Sequence, residues 1–256
     1  MGKLLEVKNL TKKYFEGTQE SRAVDGVDLE VGEGEFVALM GASGSGKTSL
    51  LHLLGGIDRF DGGTVRYRVH GGTPSEYQDV DFSQMSEKAK TLFRRSNIGI
   101  VFQQQCLIPD LTVYENIMLP LMLERRHAEK EDIFKLCEQF GLKEHTRKYP
   151  SQLSGGQQQR AAILRSVINK PPLLLCDEPT GSLNLAQTKL VMDLLCELNQ
   201  GGQTIILVTH DMKVAVRGKR VVYIEDGRVE GELNFAEAKP GDAEQELMDF
   251  LKERGW

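Results

Sequence analysis

The chain has 256 residues, enough for one large domain or two small ones with a substantial core. Hydrophobic residues at 40% and charged residues at 27% are ordinary for a globular protein, and the net charge of -5 argues against a dedicated nucleic-acid binder, which needs Lys and Arg to neutralise phosphates. Charges at residues 1–8 and the lack of a long apolar run argue against a signal peptide and a membrane span, so we expect a protein of the cytosol.

Strands are predicted near the start of the chain at residues 4–10 and 27–31, the second because apolar and acidic residues alternate in it. Gly32-Glu33-Gly34 turns the chain after them. This pattern predicts an antiparallel sheet that leads into the next motif.

A glycine-rich loop follows an apolar strand at residues 35–40 and precedes a predicted helix at residues 49–54. Its pattern, G-x-x-x-x-G-K-[ST], is typical of phosphate-binding loops rather than of a flexible turn. The glycines let backbone N–H groups approach a phosphate, the lysine supplies charge to the β- and γ-phosphates, and the threonine hydroxyl binds Mg²⁺. The predicted nucleotide-binding residues of this segment are Gly41, Ala42, Ser43, Gly44, Ser45, Gly46, Lys47, Thr48 and Ser49.

Tyr14 lies between the two predicted strands, upstream of this loop. A tyrosine in that position is able to stack its aromatic face on a purine. We therefore interpret Tyr14 as an adenine contact, although a lone tyrosine is more often simply half-buried.

The segment after the loop alternates at residues 65–69 like a further strand, and residues 70–82 are polar, which predicts a surface loop. Ser86 is a candidate cap for a helix that reaches Arg95. Residues 98–102 then read as a buried strand that delivers Gln103 at its carboxyl end, where ligands of open α/β sheets usually bind.

Residues 110–149 are the most helical part, and Gly141 is expected to end the second of two helices there. Another helix follows Pro150 and runs through Ile168, where residues 169–172, with two prolines, stop it. At its head, Ser154, Gly155, Gly156 and Gln157 combine a hydroxyl, two glycines and a helix N-terminus. Such a combination predicts a second anion site.

A short apolar strand at residues 173–178 ends in Asp177 and Glu178. Asp177 is expected to help hold Mg²⁺, and Glu178 to orient or accept a proton from the attacking water. A helix at 186–199 and a buried strand at 204–210 follow, and the second strand places His210 where it is able to bond the γ-phosphate or the water.

The chain then forms a predicted hairpin through Asp226-Gly227 and, after Pro240, a helix that Asp242 with Gln245 would cap. We expect the apolar face of this helix to pack on the protein itself rather than on a partner. The cysteines are Cys106, Cys137, Cys176 and Cys196, all without paired spacing, which is typical of reduced thiols that act as small hydrophobes.

Taken in order, these motifs resemble those of the ATP-binding-cassette ATPases over about residues 4–233. The resemblance makes residues 41–48 the Walker A motif, residues 175–178 the Walker B motif and residues 154–157 the signature motif. It also makes Tyr14 the adenine-stacking residue, Gln103 the Q-loop residue, residues 179–184 the D-loop and His210 the switch histidine.

The resemblance implies a single α/β domain, a P-loop NTPase with a RecA-like core, an antiparallel β-subdomain and an inserted helical subdomain. The core and β-subdomain would span about residues 1–103 and 161–235, the helical subdomain about 104–160 and a C-terminal helical tail about 236–256. The implied activity is hydrolysis of ATP with Mg²⁺. The implied catalytic residues are Lys47, Gln103, Glu178 and His210, and the implied metal-binding residues are Thr48, Gln103 and Asp177.

Proteins of this family associate head to tail, so we expect a homodimer in which residues 41–48 of one copy and 154–157 of the other enclose each ATP. Closure on ATP and reopening on hydrolysis would drive an integral membrane permease, placing this chain on the cytoplasmic face of the membrane. Details of residues 101–104, 111–116 and 208–211 are similar to the branch that contains lipoprotein-release, macrolide-export and antimicrobial-peptide-resistance ATPases. Partners in that branch are permeases with a large extracytoplasmic domain, and no nucleic acid is expected.

Two alternatives to a transporter remain in view. The same ATPase would serve equally in a complex that controls or senses through an extracytoplasmic protein without transport. A soluble ATPase of DNA repair or translation is disfavoured, because this chain has one uninterrupted cassette and an acidic charge.

One position departs from the family pattern, which usually has Asp where this chain has Asn184. The amide removes a negative charge that would lie near the dimer interface. We therefore predict altered coupling between the two sites or slower turnover.

Overall fold

The computed structural model describes residues 2–17, 19–70, 77–235 and 241–254. In chain order the strands are β1 (Lys3–Glu16), β2 (Gln19–Gly32), β3 (Phe36–Met40), β4 (Gly62–His70), β5 (Tyr77–Asp81), β6 (Ile98–Val101), β7 (Leu173–Asp177), β8 (Thr204–Val208), β9 (Arg220–Glu225) and β10 (Arg228–Asn234). The helices are α1 (Lys47–Leu54), α2 (Glu87–Asn97), α3 (Val113–Leu123), α4 (Lys130–Gln139), α5 (Gly155–Val167), α6 (Leu185–Gln200), α7 (Met212–Ala215) and α8 (Asp242–Lys252).

The strands form two sheets, one antiparallel and one mostly parallel. The first has the order β2-β1-β4-β5 and the second the order β10-β9-β3-β8-β7-β6. In the second sheet only the β9–β10 pair is antiparallel. The predicted α/β class and the antiparallel sheet that leads into the glycine-rich loop are thus confirmed.

The centre of the second sheet is buried on both faces. Every residue of β3, β7 and β8 is buried, which is why these strands read as continuous apolar runs in the sequence. One face packs with α1 and the antiparallel sheet, and the other packs with α3, α4, α5 and α6. Among the described residues, no helix combines the length and apolarity that crossing a membrane requires.

The first hairpin is longer than predicted. β1 continues to Glu16 and β2 begins at Gln19, so Tyr14 lies within β1, opposite Ser21, rather than between two strands. The extension carries mostly polar side chains, and antiparallel hydrogen bonds hold it without an apolar face that the sequence would reveal.

The prediction of a surface loop at residues 70–82 is wrong for its second half. Residues 77–81 form the edge strand β5, and Phe82 is fully buried against Tyr67 and Phe93. Antiparallel pairing to β4 overrides the polar composition of this strand. Residues 71–76 lie outside the described part of the chain.

Two smaller expectations are also wrong. Cys106 is exposed in a loop with a positive φ of 49°, so it does not act as a buried hydrophobe, whereas Cys137 and Cys176 are buried. Helix α8 begins at Asp242 with Gly241 as its N-cap, and among the described residues no side chain caps it. Its apolar face does pack on the protein, since Leu247 and Leu251 are buried in a cluster with the β3 and β9 side chains.

Candidate active site

The predicted site residues follow the carboxyl ends of neighbouring parallel strands. The glycine-rich loop follows β3, Gln103 follows β6, Asp177 ends β7 with Glu178 directly after it, and His210 follows β8. Because parallel strands end at the same edge of a sheet, these segments meet there.

The glycine-rich loop needs glycine at specific positions. Gly41, Gly44 and Gly46 have φ values of 151°, 82° and 101°, which L side chains rarely adopt. A Cβ on Gly46 would lie 2.0 Å from the backbone oxygen of Ala23, and one on Gly41 would lie 2.0 Å from that of Ile224. The loop is therefore wedged between β2 and β9, and this close packing fixes its backbone.

Lys47 is bound into the same loop. Its Nζ donates to the carbonyl oxygens of Gly41 at 2.9 Å and Ala42 at 2.6 Å, and to Ser45 Oγ at 3.2 Å. Burial lowers the pKa of Lys47, while the charges of Glu178 and Asp177 oppose this effect. The ammonium group of Lys47 is thus held by two backbone oxygens and one hydroxyl of the loop.

Two side-chain oxygens, from Thr48 and Asp177, meet at the start of α1. Thr48 Oγ1 donates to Asp177 Oδ1 at 2.9 Å, and Asp177 is 7% exposed. Burial raises the pKa of Asp177, and the hydrogen bond from Thr48 opposes that shift. A hydroxyl beside a buried carboxylate is the kind of hard oxygen pair that suits Mg²⁺. His52 Nε2 lies 3.7 Å from Asp177 Oδ2.

Glu178 contacts two of the other three predicted catalytic side chains, His210 and Gln103. Its Oε1 lies 3.1 Å from His210 Nδ1, and its Oε2 accepts a long hydrogen bond of 3.4 Å from Gln103 Nε2. Glu178 has a positive φ of 42° and donates its N–H to Val208, which fixes the turn that aims its carboxylate. A Cβ on Gly181 would come within 3.2 Å of Glu178 Oε2, so glycine keeps this space open.

These groups surround a cavity of about 480 Å³. The residues that line it are Ala23, Ser43, Gly44, Gly46, Lys47, Thr48, Ser49, Glu178 and His210. The cavity thus combines the cradle of the glycine-rich loop with a carboxylate and an imidazole on one wall. Such an arrangement is able to hold a phosphate chain and present a base to a water molecule beside it.

Tyr14 is 43% exposed, and its hydroxyl donates to Asp58 Oδ2 at 2.7 Å. Asp58 Oδ1 also accepts from Lys12 Nζ at 3.0 Å, and that ammonium lies 4.9 Å from the centre of the Tyr14 ring. The ring is therefore held by Asp58, in the segment that follows α1, and by Lys12, although it does not line the cavity in the described part of the chain.

The predicted second anion site is separate from this cavity. Residues 154–157 are not among the described residues that line it. Ser154 is the N-cap of α5, where its hydroxyl accepts from Gln157 N, and Gln157 Oε1 in turn accepts from Ser154 N at 2.9 Å. Ser154 and Gly155 are exposed, so another surface is able to approach them.

A larger cleft of about 750 Å³ lies near the amino ends of β7 and β8, where Pro172 and Thr204 line it together with apolar side chains of α4, α5 and α6. It contains none of the predicted site residues. Although this cleft is larger, we take the cavity at the opposite edge of the sheet as the candidate site, because the glycine-rich loop, Glu178 and His210 line it.

Four residues of the site region were not predicted from the sequence as site residues. Asp58 holds Tyr14, His52 contacts Asp177, Ala23 packs on the glycine-rich loop, and Gly181 leaves space for Glu178. The sequence did offer a reason to include Gly181, because this residue lies only three positions after Glu178. For the other three no local pattern marks the contact, since it depends on how distant segments pack.

Known proteins with similar sequences and structures fit this geometry. A sequence profile of the family described as ABC transporter matches residues 24–181, which is more than half of the chain. The macrolide export ATP-binding/permease protein MacB of Hyphomonas neptunium is 40% identical over an alignment of 247 residues that covers 94% of this chain and 36% of that protein. This chain therefore spans little more than a third of the length of that relative.

Two solved structures of the cassette MJ0796 are also similar, both with a TM-score of 0.79 and both covering 90% of this chain and 98% of the solved chain. One is a dimeric post-hydrolysis state bound to ADP and Pi, at 38% identity. The other, at 39% identity, is described as the dimer of a bacterial ABC transporter cassette.

Proposed function

Since this chain belongs to the ABC transporter family, in which it is an ATP-binding and ATP-hydrolysing cassette, we propose that it is the motor subunit of a membrane permease complex. The observation that carries this proposal is the contact of Glu178 with Gln103 and His210 on the wall of a cavity whose floor is the glycine-rich loop. Phosphate binding alone would need only the loop. A base held by two further side chains adds the means to hydrolyse.

The glycine-rich loop binds the phosphate chain. Backbone N–H groups of residues 43–48 and the N-terminus of α1 supply positive potential, and Lys47 lies close enough to exchange its bonds to backbone oxygens for bonds to phosphate oxygens. Tyr14, held by Asp58, is the side chain we assign to the adenine ring. Three predicted residues of the loop are not among the described residues that line the cavity: Gly41, Ala42 and Ser45. They accept hydrogen bonds from Lys47 and so position its ammonium group.

Glu178 is the group that we assign to the attacking water. It lines the cavity beside Lys47 and Thr48, and its carboxylate is able to accept a proton or orient the water for in-line attack. His210 and Gln103 hold the two carboxylate oxygens, so the base does not have to find its orientation during the reaction.

We assign Thr48 and Asp177, which are hydrogen-bonded to each other, to Mg²⁺ binding. Gln103 is the third residue of this assignment, and its amide contacts Glu178, the residue directly after Asp177. When bound, the ion neutralises charge on the β- and γ-phosphates. The buried carboxylate of Asp177 has the Thr48 hydroxyl as a hydrogen-bond partner, so a cation would relieve its desolvation.

A second copy of the chain completes each site in this proposal. Residues 154–157 are not among the described residues that line the cavity, and Ser154 and Gly155 are exposed, so they are available to a partner. The described dimers of MJ0796, one with ADP and Pi, support this arrangement. Closing would bring the N-terminus of α5 in one copy to the phosphates on the other.

The permease remains a separate chain or segment in this proposal. The relative from Hyphomonas neptunium is named an ATP-binding/permease protein, and this chain matches only 36% of its length. We therefore infer a permease partner with a large extracytoplasmic domain, and a position of this chain at the cytoplasmic face of the membrane.

The test uses Glu178→Gln, which keeps the shape of the side chain but removes the base. We expect it to bind ATP, to lose nearly all hydrolysis and to accumulate as a dimer with MgATP, measured by phosphate release and light scattering. Glu230→Gln, at an exposed glutamate of β10, is the matched control and should behave as the parent. Full hydrolysis by Glu178→Gln would contradict the assignment.

A pull-down from detergent-solubilised host membranes that recovers no multi-span protein would contradict the permease partner.

A further inference from the structure

His145 lies behind the N-terminus of α5, in the segment that joins α4 to α5. This segment is firmly attached to α3, because the backbone N–H groups of Val113 and Tyr114 donate to the carbonyl oxygens of Lys148 at 2.8 Å and Thr146 at 2.9 Å. The imidazole is half-buried, and its Nε2 lies 2.9 Å from Nε2 of Gln157.

Gln157 therefore has two partners, one on each side of its amide. Its Oε1 accepts from the backbone N–H of Ser154, and its Nε2 meets the imidazole of His145. The first contact belongs to the capping box that orders residues 154–157. The second has no part in ordinary helix capping, and neither helix propensity nor the phosphate chemistry of the loop requires it.

The hydrogen-bond chemistry leaves one arrangement. The N–H of Ser154 is only a donor, so the amide oxygen of Gln157 must face it and the amide NH₂ must face His145. Nε2 of His145 must then accept, which requires a neutral imidazole with its proton on Nδ1. If the imidazole were protonated, its Nε2–H would face the NH₂ group of Gln157, and two donors cannot form a hydrogen bond. The amide could turn its oxygen toward His145 only by losing the hydrogen bond from the N–H of Ser154.

We propose that His145 is a positioning residue for the anion site at residues 154–157: its neutral imidazole keeps Gln157 turned toward Ser154, and protonation releases this cap and weakens ATP-driven closure of two copies. The inference rests on the proposed function, in which this site meets the nucleotide bound to the other copy.

The surroundings of His145 favour the neutral form at neutral pH. Burial lowers its pKa below the ordinary value of 6.5, the charges of Lys148 and Arg160 lower it further, and Glu144 opposes them. Arg160 comes from α5 itself, where its Nε donates to the Gly156 oxygen at 3.3 Å. Among the described residues no partner meets the buried Nδ1, so the ring depends on Gln157 for its hydrogen bond.

The sign of the pH effect follows from this lowered pKa. A histidine that is harder to protonate in the ordered state stabilises that state above its ordinary pKa of 6.5, and the contribution is lost progressively as the pH falls below that value. Closure of the dimer should weaken in the same range.

The test measures MgATP-driven dimerisation of the full chain in the Glu178→Gln background, by sedimentation between pH 8 and pH 5.5. His145→Gln offers an amide oxygen that accepts but does not titrate, and His145→Lys offers a permanent donor. His127→Lys, at an exposed histidine in the segment before α4, is the matched control. Thermal unfolding and binding of a fluorescent ATP analogue check that each variant folds and that the cavity of each copy is intact.

We expect the ATP concentration needed for dimerisation to rise as the pH falls in the parent and in His127→Lys. In His145→Gln this concentration should rise less, so the difference between His145→Gln and the other two proteins should grow toward low pH. At pH 8, His145→Lys should need roughly 2- to 10-fold more ATP than the parent, which corresponds to the loss of one hydrogen bond. All four proteins should bind the analogue equally.

Equal pH dependence in the parent and His145→Gln, or equal dimerisation of the parent and His145→Lys at pH 8, would overturn the inference. A different result would indicate failure of the proposed function itself: if the Glu178→Gln parent binds the analogue but does not dimerise with MgATP at any pH, the two-copy site is wrong, and the role of His145 falls with it.

Discussion

At the scale of single residues, the adenine contact proposed for Tyr14 would depend on two neighbouring side chains, Asp58 and Lys12. Asp58 accepts from both Tyr14 and Lys12, and the Lys12 ammonium also lies over the tyrosine ring. An exposed ring gains little from packing alone, so these contacts are what hold it in one orientation.

Asp58→Ala should therefore weaken ATP binding, because it leaves Tyr14 and Lys12 without their shared partner. We expect the KM for ATP to rise roughly 2- to 10-fold, the loss of about one hydrogen bond, with little change in kcat. Steady-state kinetics at saturating Mg²⁺ measures both constants. Asp79→Ala, at an 80% exposed carboxylate of β5, is the matched control; equal KM values for the two variants would show that Asp58 does not position the ring.

Individual site residues were largely predictable where the chemistry demands a residue type in a fixed order. The glycine-rich loop, Glu178 and His210 lie on one cavity, and Gln103 contacts Glu178, as strand ends of a parallel sheet require. Asp58 and His52 were not predictable, because each acts through a contact between segments that the sequence does not show to be neighbours.

At the scale of secondary structure, Asn184 has a structural role that is separate from the absence of a negative charge at this position. It is the N-cap of α6, and its Oδ1 accepts from Gln187 N at 3.0 Å. Asp is an equally good N-cap, so the amide costs the helix nothing while it removes a negative charge.

Two substitutions at this position separate the cap from the charge. Asn184→Ala should lower the free energy of unfolding by about 1 kcal/mol, because α6 loses its cap, whereas Asn184→Asp should leave stability unchanged. If the missing charge slows turnover or alters coupling, Asn184→Asp alone should change the ATPase rate or its cooperativity. Denaturant unfolding and ATPase titrations provide the two readouts; an Asp variant with unchanged rate and cooperativity would remove the role of the charge.

Helix α8 offers a second test at this scale. Leu247 is fully buried in the cluster with Met40 and Tyr223, so Leu247→Ala should cost about 2–5 kcal/mol of stability through the cavity that it leaves. Met248→Ala, at a side chain 36% exposed, should cost much less. Thermal unfolding measures the difference, and equal melting temperatures would show that α8 does not pack on the protein in solution.

Secondary structure was predictable to the extent that burial leaves a pattern. The strands β3, β7 and β8 are buried throughout and stand out as apolar runs, and Ser86 does cap α2, with its Oγ accepting from Ala89 N. The polar strand β5 and the outer part of the first hairpin left no such pattern, because pairing with a neighbouring strand determines them.

At the scale of the whole molecule, the central feature is a site in two parts. The cavity is lined by the glycine-rich loop and the proposed base, Glu178, while the proposed second anion site at the N-terminus of α5 is not among the described residues that line it. The sequence motifs predict both parts of the site, but they do not show how far apart the two parts lie in the folded chain. The separation in the structure, together with the described dimers of MJ0796, supports their meeting across two copies.

The identity of what the complex moves or senses lies beyond this chain in both proposals, transport and control of an extracytoplasmic protein. In either case the proposed cycle is the same: the cassette would close on ATP and reopen on hydrolysis. The permease, rather than the cavity described above, would contact that substrate.

The division of the site between two copies is tested by mixing two inactive variants. Lys47→Ala disables the phosphate loop, and Ser154→Arg blocks the second anion site, so neither variant alone can build a complete site. If the site is shared, mixed dimers contain one complete site, and an equal mixture should recover roughly a quarter of the wild-type ATPase sites, because half of the dimers are mixed and each has one of two sites intact. If each copy hydrolyses ATP by itself, the mixture will show no more activity than the sum of its parts, and the two-copy site will be contradicted.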